Sequence, residues 1–250
     1  MLIMRIEIYL ESKDKKNTLI KYNYNYMLSS AIYSKFVDLE FFRNLHESES
    51  FKFFNFSKLY IKHINNSNSE GLIANKGKVK FILSSPNQYI ITNFLSGCLE
   101  NPELRIGKNI YKITQIKEIK DPKIHKKEEI NTLSPIITRT KEEIEGKLKI
   151  RDLAPSPHFF RNLEKNLIRK YILFNNIENT NLKVNISSEM RYVKEKRILI
   201  EKYGYKTYNR CYLMNLSIEG DAELIKFAYD TGIGEKNSMG FGMIKIKENK

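Results

Sequence analysis

The order strand, helix, strand, strand, helix, strand is legible twice along this chain of 250 residues, and that repetition constrains its fold more than any other feature. In the first pass, residues 2–11 alternate as a strand does. The segment from about Tyr24 to Arg43 sets Leu28, Ile32, Phe36 and Leu39 at helical spacing. The aromatic-rich run from Phe51 to Ile61 and the alternating Val79, Phe81 and Leu83 read as the next two strands. A helix is expected to begin at Ser85-Pro86, with Ser85 as cap, Pro86 at the first helical position and Gln88 completing a capping box. Its buried stripe is Ile91, Leu95, Cys98 and Leu99, and a hairpin turning at Gly107-Lys108-Asn109 closes the unit.

The charged stretch from Lys120 to Glu129 has little to bury and reads as a linker, placed at residues 123–130. The order then repeats. Leu133 to Arg139 and Leu148 to Arg151 are short strands, and Ser156-Pro157 opens a long helix with Phe160, Leu163, Leu167, Tyr171 and Phe174 inward. Strands follow at Leu182 to Ile186 and Arg197 to Lys202, and Tyr212, Met214, Leu216 and Ile218 give the next strand one apolar face. Asp221 caps a last helix that buries Leu224, Ile225 and Ala228 and ends before Gly232. Two such units make an α+β chain of two tandem ferredoxin-like (βαββαβ) domains, residues 1–122 and 131–250.

Charge narrows the partner. Lysine and arginine number 43 against 29 acidic residues, a formal charge of +14, which attracts polyanions and makes nucleic acid the leading partner. Cys98 and Cys211 form no metal-binding or disulfide pattern and read as reduced thiols of a cytoplasmic protein. The opening strand carries Arg5 and Glu7, unlike a signal peptide, and no apolar run is long enough to span a membrane. The histidines are His46, His63, His125 and His158. None has a partner at metal-ligand spacing, so neither a metal site nor a cofactor is expected. RNA offers chemistry that needs neither, because its own 2′-hydroxyl attacks the neighbouring phosphorus when a base, an acid and a cation assist. His46 follows the first helix in Asn44-Leu45-His46-Glu47-Ser48 and suits an acid or base role, whereas it also reads as a cation at a helix C-terminus. His63 is expected in a solvated loop, His125 in the linker, and His158, in the first turn of a helix, as neutral and structural.

The run from Thr231 to Ile244 sets Gly232, Gly234, Gly240 and Gly242 around Lys236, Asn237 and Ser238. A dinucleotide-binding or P-loop motif needs a strand before its glycines and a helix after; here a helix precedes and a strand follows, which excludes both. The run resembles the glycine-rich C-terminal loop of the repeat-associated superfamily of CRISPR proteins, specifically the endoribonucleases that cut precursor guide RNA inside its repeats. Phe51-Lys52-Phe53-Phe54-Asn55-Phe56-Ser57 is similar to a strand signature of that family, and the segment from Asn166 to Tyr171 on the long helix also resembles a family segment, which an amphipathic helix explains equally well.

The resemblance implies a catalytic set of Tyr33, His46 and Lys52, with His46 as general acid or base, Tyr33 as its counterpart and Lys52 as stabiliser of developing negative charge. It further implies that Gly232, Gly234, Lys236, Asn237, Ser238, Gly240 and Gly242 support binding of the repeat RNA, and that cleavage leaves a 5′-hydroxyl and a 2′,3′-cyclic phosphate without metal. Other CRISPR effector subunits and a second copy of the chain are further partners it leaves open. Two alternatives stand beside the enzyme: a non-catalytic repeat-binding scaffold subunit, and a general single-stranded RNA-binding protein. His46 together with Lys52 favours the enzyme. The basic segment from Arg191 to Arg197 is open between a phosphate track and a solvated turn.

Overall fold

The computed structural model describes residues 3–38, 40–43, 51–68, 70–178, 181–202 and 204–247. In the first half, β1 (Arg5–Ser12) is followed by β2 (Thr18–Lys21), α1 (Asn25–Tyr33), β3 (Asn55–Phe56), β4 (Tyr60–Asn68), β5 (Gly71–Ser84), α2 (Gln88–Glu100), β6 (Glu103–Ile106) and β7 (Asn109–Glu118). The second half runs through β8 (Lys127–Thr132), β9 (Arg139–Ile144), β10 (Lys147–Asp152), α3 (Pro157–Asn175), β11 (Val184–Ser187), β12 (Lys194–Lys202), β13 (Tyr205–Leu213), β14 (Asn215–Gly220), α4 (Ala222–Thr231) and β15 (Ile244–Ile246).

Both halves arrange their sheets alike. The main antiparallel strands of the first lie in the order β4-β5-β1-β7, and those of the second in the order β11-β14-β8-β15. Numbered within each unit, both orders read 2-3-1-4, the arrangement of a ferredoxin-like βαββαβ unit, so the doubled pattern in the sequence corresponds to a doubled fold. Each sheet buries one face. Ile6, Ile8 and Leu10 of β1 pack with Leu28 and Ile32 of α1 and Ile91 and Phe94 of α2, while Ile130, Leu216 and Ile218 pack with Leu163 and Leu167 of α3 and Leu224 and Ile225 of α4. Two hairpins, β9-β10 and β12-β13, pair as separate two-stranded ribbons. No helix among the described residues is long and apolar enough to cross a membrane.

Four boundaries differ from the sequence reading, each for a tertiary reason. The helix expected from Tyr24 to Arg43 stops at Tyr33, because the backbone N–H groups of Val37 and Asp38 donate to Asn93 Oδ1 on α2 instead of continuing the helical ladder. Phe36 is buried all the same, stacked on Phe42 at 3.5 Å between centroids. The second helix starts at Gln88 with Asn87 as cap, since Ser85 Oγ donates to the Phe53 carbonyl and Asn87 Oδ1 accepts from Tyr89 N. The linker stretch runs into β8 from Lys127 onward, with Glu128 buried and accepting from His125 N. Finally, the apolar alternation from Tyr212 to Ile218 is split between the end of β13 and β14.

The halves meet over a buried cation whose three nitrogens all donate. Arg5 of β1 is buried, and its guanidinium donates to the Ile244 carbonyl at 2.9 Å, to the Tyr229 carbonyl, and to Ser84 Oγ at 3.3 Å. It also lies 3.5 Å from the centre of the Tyr229 ring, and Ser84 Oγ donates in turn to the Asp230 carbonyl at 2.8 Å. Phe53, from the first half, packs edge-on to Phe174 at 5.1 Å in the core of the second. Removing the guanidinium would leave buried carbonyls without donors. Arg5→Ala is therefore expected to cost about 3 kcal/mol, seen as a thermal midpoint roughly 6–12 °C lower in a chain of this size. A midpoint within about 2 °C of the parent would show that this contact does not hold the halves together.

Candidate active site and nucleic-acid interface

Where the halves meet they leave a cleft of about 860 Å³. One wall is the α3 face bearing Asn162, Lys165, Asn166 and Arg169; the opposite wall is the β9-β10 hairpin with Arg139, Lys141 and Ile150. Phe51 to Phe54 and the loop residues Glu235 to Ser238 complete it. Among the described lining residues, Lys52, Arg139, Lys141, Lys165, Arg169, Lys170 and Lys236 are cationic, and Glu235 is the lone carboxylate. That carboxylate is neutralised by Arg139, whose Nε donates to Glu235 Oε2 at 2.7 Å and whose backbone N–H donates to Oε1 at 2.8 Å. Such a concave, one-signed surface concentrates a polyanion. The sequence reading placed a charge excess in the chain; folding gathers part of it into one groove.

The expected catalytic residues fall at this junction where they are described. Lys52 lines the cleft, half-buried, and that burial draws its pKa below the ordinary lysine value. Tyr33 ends α1, with Phe36 and Phe54 edge-on to its ring at 5.7 and 5.4 Å. Burial pushes its hydroxyl up to about 12, while a hydrogen bond with the Ser238 side chain draws it the other way. At neutral pH the Tyr33 hydroxyl therefore keeps its proton. His46 lies outside the described residues, and so does the side chain of His63, which falls within β4 rather than in a loop. His158 is exposed in the first turn of α3, and His125 Nδ1 is 2.8 Å from Glu128 Oε1 on an otherwise exposed ring.

The glycine-rich loop is held from both sides. On one side stands Lys170, a residue the sequence reading did not single out. It is fully buried on α3, and its ammonium donates to the Gly232 carbonyl at 2.6 Å and to Asn237 Oδ1 at 3.0 Å. Burial pulls its pKa down to about 7, with Glu235 opposing. The buried stripe of α3 is Phe159, Leu163, Leu167 and Lys170, so the lysine takes a place that the sequence pattern filled with Tyr171, and Phe160, Tyr171 and Phe174 are only partly buried. Asn237 Nδ2 donates to the Ile233 and Phe241 carbonyls, so its amide is engaged inside the loop. Lys236 Nζ donates to Asn209 Oδ1 on β13.

On the other side the loop lies against α1. Asn25 Nδ2 donates to the Met239 carbonyl at 2.9 Å and Ser29 Oγ to the Ser238 carbonyl at 2.8 Å. The four glycines all take positive φ, between 72° and 83°, and all are buried. What approaches them closely is the protein itself: a Cβ at Gly240 would meet the Phe56 ring at 2.4 Å, and one at Gly234 the Ile137 carbonyl oxygen at 2.4 Å. Their conformational freedom serves close packing, against Asn55 and Phe56 of the first half at Gly232 and Gly240 and within the second half at Gly234 and Gly242, and Glu235 to Ser238 are what the loop turns toward the cleft.

Comparison with known proteins gives concordant results along the chain. Residues 19–117 match the family model described as CRISPR-associated protein Cas6, N-terminal, and residues 119–246 match CRISPR associated protein Cas6, C-terminal. A Methanocaldococcus jannaschii protein named CRISPR-associated endoribonuclease Cas6 1 is 39% identical over 250 residues, covering 99% of this chain and 94% of its own length. A solved structure described as a Cas6-related gene product from Pyrococcus furiosus superposes with a TM-score of 0.87 at 30% identity, covering 99% of this chain and 100% of that one. Another, described as an RAMP protein binding different RNA substrates, has a TM-score of 0.84 at 30% identity and covers 98% of this chain and 100% of its own.

The packing role of the glycines predicts a graded loss of stability. A Cβ at Gly242 (φ 76°) would lie 1.9 Å from the Ile233 carbonyl oxygen, whereas at Gly204 (φ 81°) it would meet nothing within 4 Å. Gly204→Ala is expected to lose only the backbone term of about 1–2 kcal/mol, and Gly242→Ala at least about 2 kcal/mol more. Equal thermal midpoints for the two variants would contradict the packing role.

Proposed function

From its membership of the Cas6 family of CRISPR-associated proteins, to which this chain belongs, we propose that it binds precursor CRISPR RNA and cuts it within the repeats. The observation that carries this reading is the cationic cleft in which Lys52 and the glycine loop meet beside Tyr33. The relatives named endoribonucleases cover the whole length of the chain, which supports an RNA endonuclease. The RNA-binding description of a structural neighbour supports repeat RNA as the ligand. Phosphates are neutralised by Lys141, Lys165 and Arg169 on the two walls, and the polar run Lys236 to Ser238 contributes at the floor. Gly232, Gly234, Gly240 and Gly242 contribute by shaping that run rather than by touching RNA themselves.

The reaction follows from the groups available. The ribose 2′-hydroxyl loses its proton and attacks the adjacent phosphorus; the P–O5′ bond breaks; the leaving 5′ oxygen takes up a proton. The products are a 2′,3′-cyclic phosphate and a 5′-hydroxyl. Tyr33 holds its proton at neutral pH, so it serves as a donor to the departing oxygen or the phosphate. The base is then His46, since a neutral imidazole accepts a proton at its free ring nitrogen. Lys52 stabilises the extra negative charge on the pentacoordinate phosphorus. Acid, base and cation all come from side chains, and the reaction needs no metal.

One set of cleavage assays tests this reading. Cleavage of the repeat RNA should persist in EDTA and disappear when a single 2′-deoxynucleotide stands at the cut. His46→Ala should cut roughly a hundred- to ten-thousandfold more slowly while binding the repeat nearly as the parent does. Loss of cutting in EDTA, or continued cutting of the deoxy substrate, would overturn the 2′-hydroxyl mechanism. A parent chain that binds the repeat without cutting it would favour the scaffold role.

A further inference from the structure

Two consecutive residues of the glycine loop each tie one of the inserted hairpins to it. Glu235 accepts from Arg139 at the root of β9-β10, from its backbone N–H at 2.8 Å and from Nε at 2.7 Å, and Nη2 is ion-paired to the same carboxylate. Lys236 Nζ donates to Asn209 Oδ1 of β13, and the buried Asn209 amide donates in turn to the Ile198 and Thr207 carbonyls of the β12-β13 ribbon. The root of β9-β10 has further ties. Asn162 Nδ2 of α3 donates to the Arg139 carbonyl at 3.1 Å, and Glu235 N donates to the Ile137 carbonyl at 2.8 Å. Asp152, opposite Arg139 in the hairpin, accepts from Arg210 N of β13 at 2.7 Å. Arg139 is thus fixed through backbone and side chain together, and Lys141, two residues on, takes the same face of β9 toward the cleft.

A carboxylate in a groove for RNA is unfavourable by charge alone, since it repels the phosphates that the neighbouring cations attract. The bonds it makes give Glu235 another task. A guanidinium carries five N–H donors in a rigid fork, and Glu235 takes the Nε and Nη2 edge. Nη1 makes no hydrogen bond among the described residues, so that end of the fork is left to a further acceptor in the cleft. A fork pinned along one edge meets a phosphate with little side-chain freedom still to lose. We infer that Glu235 is a positioning residue for RNA binding, which holds Arg139 as a phosphate contact of the cleft, so that a negative group raises affinity for a polyanion. The inference rests on the reading that the cleft binds repeat RNA, and it goes beyond that reading by naming Arg139 as a further phosphate contact and Glu235 as the group that orients it.

The test is a double-mutant cycle in affinity for the repeat RNA, measured on the full-length protein over a series of salt concentrations. Glu235→Gln removes a negative charge from the cleft, and if charge alone counted it would tighten binding. The expected result is the opposite, binding about three- to tenfold weaker, with a salt dependence flattened by up to about one phosphate contact. Arg139→Lys, which keeps the charge and gives up the fork, should weaken binding in the same way, and it leaves Glu235 in place should the glutamine variant unfold. In an Arg139→Ala background the sign should reverse. Glu235 then stands uncompensated among the cations, so adding Glu235→Gln should tighten binding. Parental or tighter binding by Glu235→Gln alone, or the same loss in both backgrounds, would overturn the inference while salt-dependent binding of the repeat by the parent still supported the RNA reading. A parent chain with no salt-dependent affinity for the repeat would remove that reading and the inference with it.

Discussion

The ammonium of Lys170, enclosed on α3 and bonded to the Gly232 carbonyl at 2.6 Å and Asn237 Oδ1 at 3.0 Å, fixes a loop that also bonds Arg139 of β9 and Ser29 of α1. A buried lysine is costly unless its donors are satisfied, and here the acceptors come from a loop whose backbone turns inward to supply them. The geometry is reciprocal. Positive-φ glycines let the carbonyl of residue 232 face α3, and the lysine gives that otherwise unpaired carbonyl a donor. From this fixed point the loop's other bonds follow: Glu235 N to the Ile137 carbonyl, Gly242 N to the Pro135 carbonyl, and Ser238 to α1.

The two halves share one strand order, yet only the second carries the two hairpin insertions and the glycine loop, and this asymmetry makes the groove. The β9-β10 hairpin stands opposite α3 across the cleft, adding Arg139 and Lys141 to one side as Lys165 and Arg169 do on the other. The first half contributes the segment from Phe51 to Phe54, which is a packing element as much as a functional one. Phe53 packs against the core of the second half and Phe54 on Tyr33, so two anchored rings follow Lys52 directly in the chain. A lysine held this way is drawn below its ordinary pKa by its surroundings and set at the groove wall.

Much of this architecture was legible in local pattern. Ser156-Pro157 announced α3, and Ser156 Oγ does accept from Phe159 N at 3.2 Å; the last helix ends at Thr231 with Gly232 at positive φ after it. Asp221 stands at the cap position of α4, though its side chain makes no capping bond. What pattern missed is decided between distant residues. The end of α1 depends on Asn93, the start of α2 on a bond from Ser85 to Phe53, and the role of the loop glycines on what lies across the interface. The proposed site residues divide similarly. Lys52 and Tyr33 come from likeness to a family, not from spacing. Lys170 left no local trace, because Tyr171 beside it satisfies the apolar spacing of the helix.

If the glycine loop is a buried, anchored frame that presents Lys236 to Ser238 to the cleft already formed, its amides must be protected before any RNA is present. Hydrogen exchange on the free protein reads this directly at Ile233, Glu235 and Gly242, whose N–H groups donate to the Gly242, Ile137 and Pro135 carbonyls. Protection at these amides comparable to that of the β1 core, with little change when repeat RNA is added, is the expected result. Exchange as fast as that of an exposed turn in the free protein, slowing only with RNA, would contradict the account.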